Sequence, residues 1–178
     1  IDTSWGGSAL PDVMASGSIC VNARYNALGS MPWHEFRDKL MYVVFGGGLS
    51  SVEGLCTDYW FYNTKSSHLY FSGWQNLRPV SMEFMFNGSV NLESLDLRGL
   101  NPSTIKRWNN AFAGMSSLKT ILVSDGWTPP SSPMTSSNVF YGDTLLVGGN
   151  GTKFSSNKTG LDMAVFDREG QAGYLTAG

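Results

Sequence analysis

The sequence predicts an α/β, β-rich solenoid of three to four short coils, with a β-rich N-terminal cap and an irregular C-terminal cap. The main evidence for this fold is a repeat. It is marked by Phe61, Phe86, Phe112 and Phe140, which are separated by 25, 26 and 28 residues. Each of the last three begins a segment with Gly at the third place and Leu at the seventh. A period in the twenties is typical of coils that bury their apolar faces against neighbouring coils.

The composition favours an extracellular, turn-rich domain. Charged residues make up 15% of the 178 residues, whereas aromatic residues reach 13% and glycines number 21. A net charge of −2 supplies no basic surface, so we expect no nucleic-acid partner. No apolar run approaches the ~20 residues of a transmembrane helix, so we expect no membrane insertion of this segment. The chain starts without a leader-like segment, and we expect any signal peptide to have been removed or left out.

The N-terminal cap is predicted over 1–60, where the repeat is absent. Residues 16–21 have the pattern of a turn and a short strand. Residues 30–40 are predicted to form a helix with one apolar stripe. Residues 41–45 are β-branched or aromatic and end at the glycines of 46–48, which predicts a strand closed by a turn.

The solenoid is predicted over 61–147, from alternating residues in its strands. The period of two places one set inward, namely Leu95, Leu97, Ile121 and Val123, and the other set outward, namely Ser94, Asp96, Thr120, Leu122 and Ser124. Large residues in the following loops are predicted to anchor them: Leu77, Leu100 and Trp127. In the first repeat we place Phe71 at the position of Leu95. This register puts His68 in an apolar slot and turns Tyr70 and Ser72 outward.

Two further segments complete this organisation. Residues 103–112 are predicted to form a short helical turn capped by Ser103, which directs Ile105, Trp108 and Phe112 inward. The prolines between 129 and 133 replace that turn with a stiffer arc in the next repeat. The tail over 148–178 loses the period, as expected of a C-terminal cap.

The segment from Met82 to Arg98, with Met85-Phe86, Leu92, Leu95-Asp96-Leu97, resembles the repeat of BspA-type, leucine-rich-repeat-like bacterial surface proteins. Flanking features over 32–45 and 146–176 extend the resemblance to nearly the whole chain. It implies a right-handed leucine-rich-repeat-like solenoid, secreted or attached to the cell wall, without catalytic residues. We expect the wall-sorting tail of such proteins to lie beyond this segment. The repeat cysteine of the family is replaced by Ser89, Met115 and Asp143.

Metal and redox chemistry have little support. Cys20 and Cys56 could form a disulfide or be two buried, small apolar residues, and both readings stay open. The sequence has no Cys-x-x-Cys pair and no His/Cys cluster, so we expect no metal and no cofactor.

Catalysis is not expected. Two carboxylate pairs, Glu93/Asp96 and Asp162/Asp167, are close in sequence as a glycosidase would need, but the first pair belongs to an exposed strand. His34 and His68 are interpreted as structural. The glycines of 148–151 lack the lysine and the strand–helix setting of a phosphate loop, and we interpret them as turns.

The residues that could contact a partner are outward or aromatic: Tyr70, Trp74, Asp96, Thr120 and Leu122. The competing interpretation for the tyrosine and the tryptophan is that they fill the core. We therefore expect a monomeric, non-enzymatic, extracellular bacterial surface repeat module that recognises or adheres to a host protein or glycan. The alternative is a structural spacer or stalk of a larger cell-wall protein, and a glycan-active enzyme is a distant third.

Overall fold

The computed structural model describes residues 37–178, in which all regular elements are short. The strands are β1 Tyr42–Val44, β2 Leu55–Cys56, β3 Tyr70–Ser72, β4 Pro79–Ser81, β5 Ser94–Asp96, β6 Thr120–Val123 and β7 Leu175–Ala177. The helical segments of this part are 3-10 turns at Gly47–Ser51, Trp74–Asn76, Pro102–Thr104 and Leu161–Met163. The strand predicted within 16–21 lies outside the described residues. So does most of the helix predicted over 30–40, of which residues 37–39 form a turn.

The strands form three small parallel sheets, β1–β3, β2–β4 and β5–β6–β7. Strand β1 pairs with β3 so that Tyr42 lies opposite Tyr70. In the third sheet, Asp96 of β5 lies opposite Leu122 of β6, which lies opposite Thr176 of β7. Parallel neighbours far apart in sequence require the chain to return after each strand, as a repeat array does.

The Phe spacing corresponds to one step of a hydrogen-bonded stack. Phe61 N–H donates to Met85 O, Phe86 N–H to Ala111 O and Phe112 N–H to Val139 O, at 2.8, 2.9 and 3.0 Å. Each acceptor is the residue directly before the phenylalanine of the next repeat, as expected for parallel pairing. The four phenylalanine rings stack with centroids 5.3, 6.0 and 5.4 Å apart. Successive repeats therefore lie side by side in the same direction.

Two left-handed positions in each repeat explain the recurrent glycine. The residue two before each phenylalanine has a positive φ in every repeat, at Tyr59, Phe84, Asn110 and Asn138. The residue two after it does so as well, at Asn63, Gly88, Gly114 and Gly142. Asn and Gly tolerate this conformation best, so the Gly at the third place follows from the backbone turn.

The predicted inward set is confirmed. Leu95, Leu97, Ile121 and Val123 are fully buried. The predicted loop anchors Leu77, Leu100 and Trp127 are buried, as are Ile105, Trp108 and Phe112. The predicted cap at Ser103 is wrong, because the Asn101 side chain accepts the hydrogen bond from Ser103 N–H and the turn that follows spans only Pro102–Thr104.

The register predicted for the first repeat is also wrong. Leu69 is buried, Phe71 is partly buried and His68 is exposed, so His68 does not occupy an apolar slot. Counted back from the left-handed Gly73 and Gly99, Leu69 corresponds to Leu95. The shift is two residues, which keeps the same face outward, and Tyr70 and Ser72 are exposed as predicted.

The C-terminal segment, 148–178, contributes one strand to the third sheet. Val147 N–H donates to Lys119 O, after which the chain leaves the sheet and returns as β7 beside β6. At the point of departure, a Cβ on Gly148 would lie 2.2 Å from Gly173 O and 2.5 Å from Asp167 Cβ. Only glycine fits this close approach, which holds the returning segment against the last repeat.

Candidate recognition surface

The outward face of β1 and β3 carries exposed aromatic side chains. Tyr42 and Tyr70 lie directly opposite each other, with ring centroids 5.1 Å apart and planes 21° apart. They are 45% and 52% exposed. Val44 is also exposed on β1, and the exposed His68 ring lies 6.5 Å from that of Tyr70. We name these four residues, Tyr42, Val44, His68 and Tyr70, the aromatic strip.

A packed layer of rings holds the aromatic strip from behind. Phe71 points inward between Tyr70 and Ser72, and its ring lies 4.8 Å from that of Trp74 and 5.1 Å from that of Phe61. Phe45 extends this layer, 4.5 Å from Trp74. Close packing of this kind fixes the backbone of β3, so the outward side chains are presented on a rigid support.

Neighbouring charges around β5 and β6 are paired with each other. Lys119 Nζ lies 2.8 Å from Glu93 Oε2, and Arg98 contacts Asp96 through both Nε and its terminal nitrogen. The hydrogen bond from Lys119 and then its charge lower the pKa of Glu93, with a smaller contribution from His68. The hydrogen bond from Arg98 lowers the pKa of Asp96 against the opposing effect of burial. We name Glu93, Asp96, Arg98 and Lys119 the charged strip, whose formal charges cancel.

The structure separates the five predicted contact residues into two groups. Tyr70 is exposed, and Asp96, Thr120 and Leu122 are partly exposed on the outward face of β5 and β6. Trp74 is 1% exposed, and its indole N–H donates to Asp96 O at 2.8 Å. The prediction of Trp74 as a contact residue is therefore corrected, because the indole is part of the core.

Sequence reasoning missed Tyr42. The sequence predicts the strand at 41–45 only as part of a cap and indicates no partner strand for it. The alternation of Tyr42, Val43 and Val44 contained a usable signal, since only Val43 of the three is buried. The pairing of β1 with β3 across 28 residues brings Tyr42 to Tyr70.

Three of the four carboxylates considered for catalysis form contacts within the chain, and the fourth, Asp162, lines a groove. On the surface, Glu93 forms an ion pair with Lys119 and Asp96 forms one with Arg98. Asp167 accepts hydrogen bonds from the backbone N–H groups of Asn150 and Thr152 and from the Thr152 hydroxyl. Burial raises the pKa of Asp167, but these hydrogen bonds together outweigh it and leave the pKa below its ordinary value. The glycine-rich loop thus encloses a carboxylate of its own chain.

Two adjoining grooves lie between the proline arc and the C-terminal segment, with volumes of about 430 and 360 Å³. Both are lined by Pro129 and Val165, and Asp162 and Arg168 each contribute to one of them. The first groove is lined by polar as well as apolar residues, among them Ser131 and Ser136.

Metal ligation and membrane insertion find no support in the part of the chain that the structure describes. Across 37–178, no group of three or more His, Cys, Asp or Glu residues is arranged to hold a metal ion. Over the same residues, no helix has the length and apolar character needed to cross a bilayer. Cys56 is buried, whereas Cys20 and His34 lie outside the described residues, so the question of a disulfide stays open.

Comparison with known proteins adds no relative. No protein-family model, no curated protein and no solved structure matches the chain. The resemblance to BspA-type proteins therefore rests on the sequence motif, and function has to be argued from the surfaces of the molecule.

Proposed function

We propose that this chain is a leucine-rich-repeat-like solenoid that serves as a non-enzymatic recognition module of an extracellular bacterial surface protein, binding a host protein or glycan as a monomer. The observation that carries the proposal is the exposed, stacked pair of Tyr42 and Tyr70 on a rigid parallel sheet. Supporting it are the parallel stacking of the repeats and the resemblance of the repeat motif to surface proteins.

Energetics favour a role in binding for the aromatic strip. Large aromatic side chains lose water-exposed apolar area when a partner covers them, and tyrosine adds a hydroxyl that can form a hydrogen bond. Met41, Tyr42, Val44 and Tyr70 are all more than one third exposed on or next to the same two strands. Clustered exposed apolar residues of this kind mark interaction surfaces more often than isolated ones do.

A non-enzymatic role is proposed because three of the four acidic groups first considered for catalysis are engaged by other groups of the chain. Glu93 forms an ion pair with Lys119 and Asp96 forms one with Arg98. Asp167 accepts a hydrogen bond from the backbone N–H of Thr152 in the glycine-rich loop. Hydrolysis by two carboxylates needs both groups directed at one bond. The outward face therefore offers contact area without an acid and a base aimed at a common point.

The test is a binding screen of the purified chain against a glycan array, mucin and extracellular-matrix proteins. Tyr70→Ser removes the central ring of the strip, and Tyr141→Ser is the matched control, because Tyr141 is 63% exposed and lies outside the strip. We expect a saturable interaction that is lost in Tyr70→Ser and kept in Tyr141→Ser, with both variants folded by circular dichroism. A screen in which no probe distinguishes the wild type from Tyr70→Ser would overturn the proposal.

The spacer is the second candidate, and the charged strip favours it. Self-paired charges on the outward face of β5 and β6 leave a neutral, polar surface that has no charge to offer a partner. A spacer predicts that the whole screen is silent and that the Tyr70→Ser substitution changes nothing measurable in binding.

A further inference from the structure

One row of the core holds an ionisable residue. The position three residues after each repeat phenylalanine is occupied by Thr64, Ser89, Met115 and Asp143, and all four are completely buried. Two are hydroxyl residues and one is apolar, so Asp143 is the member of this row that carries a carboxyl group. Buried carboxyl groups are rare unless they are paired or neutral.

Two members of the row, Ser89 and Asp143, form hydrogen bonds with backbone groups of the preceding repeat. Ser89 Oγ accepts a hydrogen bond from Thr64 N–H at 3.2 Å and donates to Phe61 O at 2.8 Å. Two steps further along the stack, Asp143 Oδ1 accepts from Met115 N–H at 2.8 Å. The second oxygen, Oδ2, is buried and accepts no hydrogen bond from the residues that the structure describes.

The surroundings of Asp143 disfavour a charge. Burial raises the pKa of its carboxyl to about 8, which outweighs the opposing effects of the hydrogen bond from Met115 N–H and of the nearby Gly114 N–H. No charged side chain contributes to this balance. The titratable groups on the segments around it are engaged elsewhere or exposed: Lys119 pairs with Glu93, the Tyr174 hydroxyl donates to Lys158 O, and the side chains of Lys158 and Asp162 are exposed.

We propose that Asp143 is a proton-binding site in the core, and that release of its proton weakens the contact between the third and fourth repeats. In the neutral form, Oδ2 carries the hydrogen and Oδ1 accepts from Met115 N–H. On deprotonation the O–H bond breaks, the proton passes to water, and a carboxylate remains in the apolar stack with too few donors. The stack should then open at the Met115–Asp143 contact, where Gly114 N–H also donates to Tyr141 O.

The sign of the pH effect follows from the direction of the shift. The carboxyl binds its proton more tightly in the folded chain than in the unfolded chain, whose value is 3.8. The stabilising effect of the proton is complete below that value and is lost as the pH rises toward about 8. Over this range the folding equilibrium constant should fall by about tenfold per pH unit for one proton.

The experiment is urea unfolding of the full chain from pH 5 to pH 9, with Asp143→Asn compared with the wild type. Asn keeps the acceptor oxygen and cannot ionise. We expect the wild-type constant, relative to the variant, to fall by about tenfold per unit up to about pH 8 and then to level off. The matched control is Asp167→Asn, which should show no such trend, because the pKa of Asp167 is lowered. A wild-type to Asp143→Asn ratio that is constant from pH 5 to pH 9 would overturn the proposal.

A second measurement protects the test against a variant that does not fold. Aspartate carboxyl resonances of the ¹³C-labelled wild type are followed by NMR over the same pH range. One resonance should titrate near pH 8, and exchange of the Gly114 and Met115 amides, corrected for intrinsic rate, should accelerate above it. A spectrum in which every aspartate titrates below pH 5 contradicts the proposal without any variant.

Discussion

The indole N–H of Trp74 donates a hydrogen bond of 2.8 Å to the backbone carbonyl of Asp96. This hydrogen bond connects two sheets, because β3 and β5 belong to different sheets and Trp74 follows β3. Since the indole is 1% exposed, water does not compete for the donor, and the bond joins the first repeat to the second. The backbone beneath the aromatic strip and that of the charged strip are thereby held together.

Replacing Trp74 by Phe should remove this connection while keeping an aromatic ring. The lost donor and the smaller ring should together lower the free energy of unfolding by about 2–4 kcal/mol. Asp96→Ala removes the exposed pair with Arg98 and the exposed hydrogen bond from Arg98 N–H, and should cost less than about 1 kcal/mol. Urea unfolding measures both, and equal losses would show that the indole bond does not support the sheet junction.

The strand register of the second repeat can be tested at adjacent residues. Leu95 is completely buried and Ser94 is exposed. Leu95→Ala should leave a cavity and cost about 2–5 kcal/mol, whereas Ser94→Ala should stay within about 0.5 kcal/mol. Thermal and urea unfolding of the two variants decide the matter, since a reversed order would place the opposite face of β5 in the core.

The position two residues before each repeat phenylalanine has a positive φ and should therefore tolerate glycine better than alanine. Asn110 has a φ of 54°, which glycine adopts freely and alanine does not. Asn110→Ala should therefore lower the free energy of unfolding by about 1–2 kcal/mol, and Asn110→Gly by less than half as much. If alanine proved the better tolerated of the two in urea unfolding, the backbone conformation assigned to the repeat would be incorrect.

Asp167 should stabilise the C-terminal segment in a pH-dependent way. Its pKa is lowered in the folded chain, so its contribution is present above the unfolded value of 3.8 and is lost as the pH falls through the folded value. Asp167→Asn should cost about 2 kcal/mol at pH 7, because hydrogen bonds to a charged group are replaced by weaker ones. The difference from the wild type should shrink below about pH 4.

The control for that prediction is Asp162→Asn, an exposed residue expected to change stability by less than about 0.5 kcal/mol. Unfolding curves at pH 3, 5 and 7 provide the comparison. A cost of Asp167→Asn that is the same at all three values would mean that the carboxylate charge is not what holds the loop.

Local pattern predicted the repeat and its inward residues, because Leu95, Leu97, Ile121 and Val123 are specified by period and position alone. It could not predict contacts set by distant segments. The pairing of β1 with β3, the return of β7 beside β6 and the enclosure of Asp167 by residues 148–152 each join parts of the chain that no local signal connects. The register of the first repeat is wrong by two residues because Phe71 is apolar and fits the place of Leu95 as well as that of Leu97. A shift of two residues keeps the same face inward, so alternation does not distinguish the two registers.

The candidate surface was predicted in part for the same reason. Tyr70 followed from alternation along one strand, whereas Tyr42 required knowledge of the partner strand. The prediction for Trp74 is wrong because a large aromatic residue after a strand can point into the core or toward solvent. Its burial depends on the hydrogen bond to Asp96 O, a residue of the next repeat.

The central claim is that Tyr70 contacts a partner. The most direct measurement is the dissociation constant of the strongest glycan, mucin or matrix probe from the screen, titrated against the wild type, Tyr70→Ser and Tyr141→Ser. The account predicts at least about tenfold weaker binding for Tyr70→Ser, as for a residue at the centre of an interface, and less than about twofold for Tyr141→Ser. Equal affinities for the two variants would contradict it.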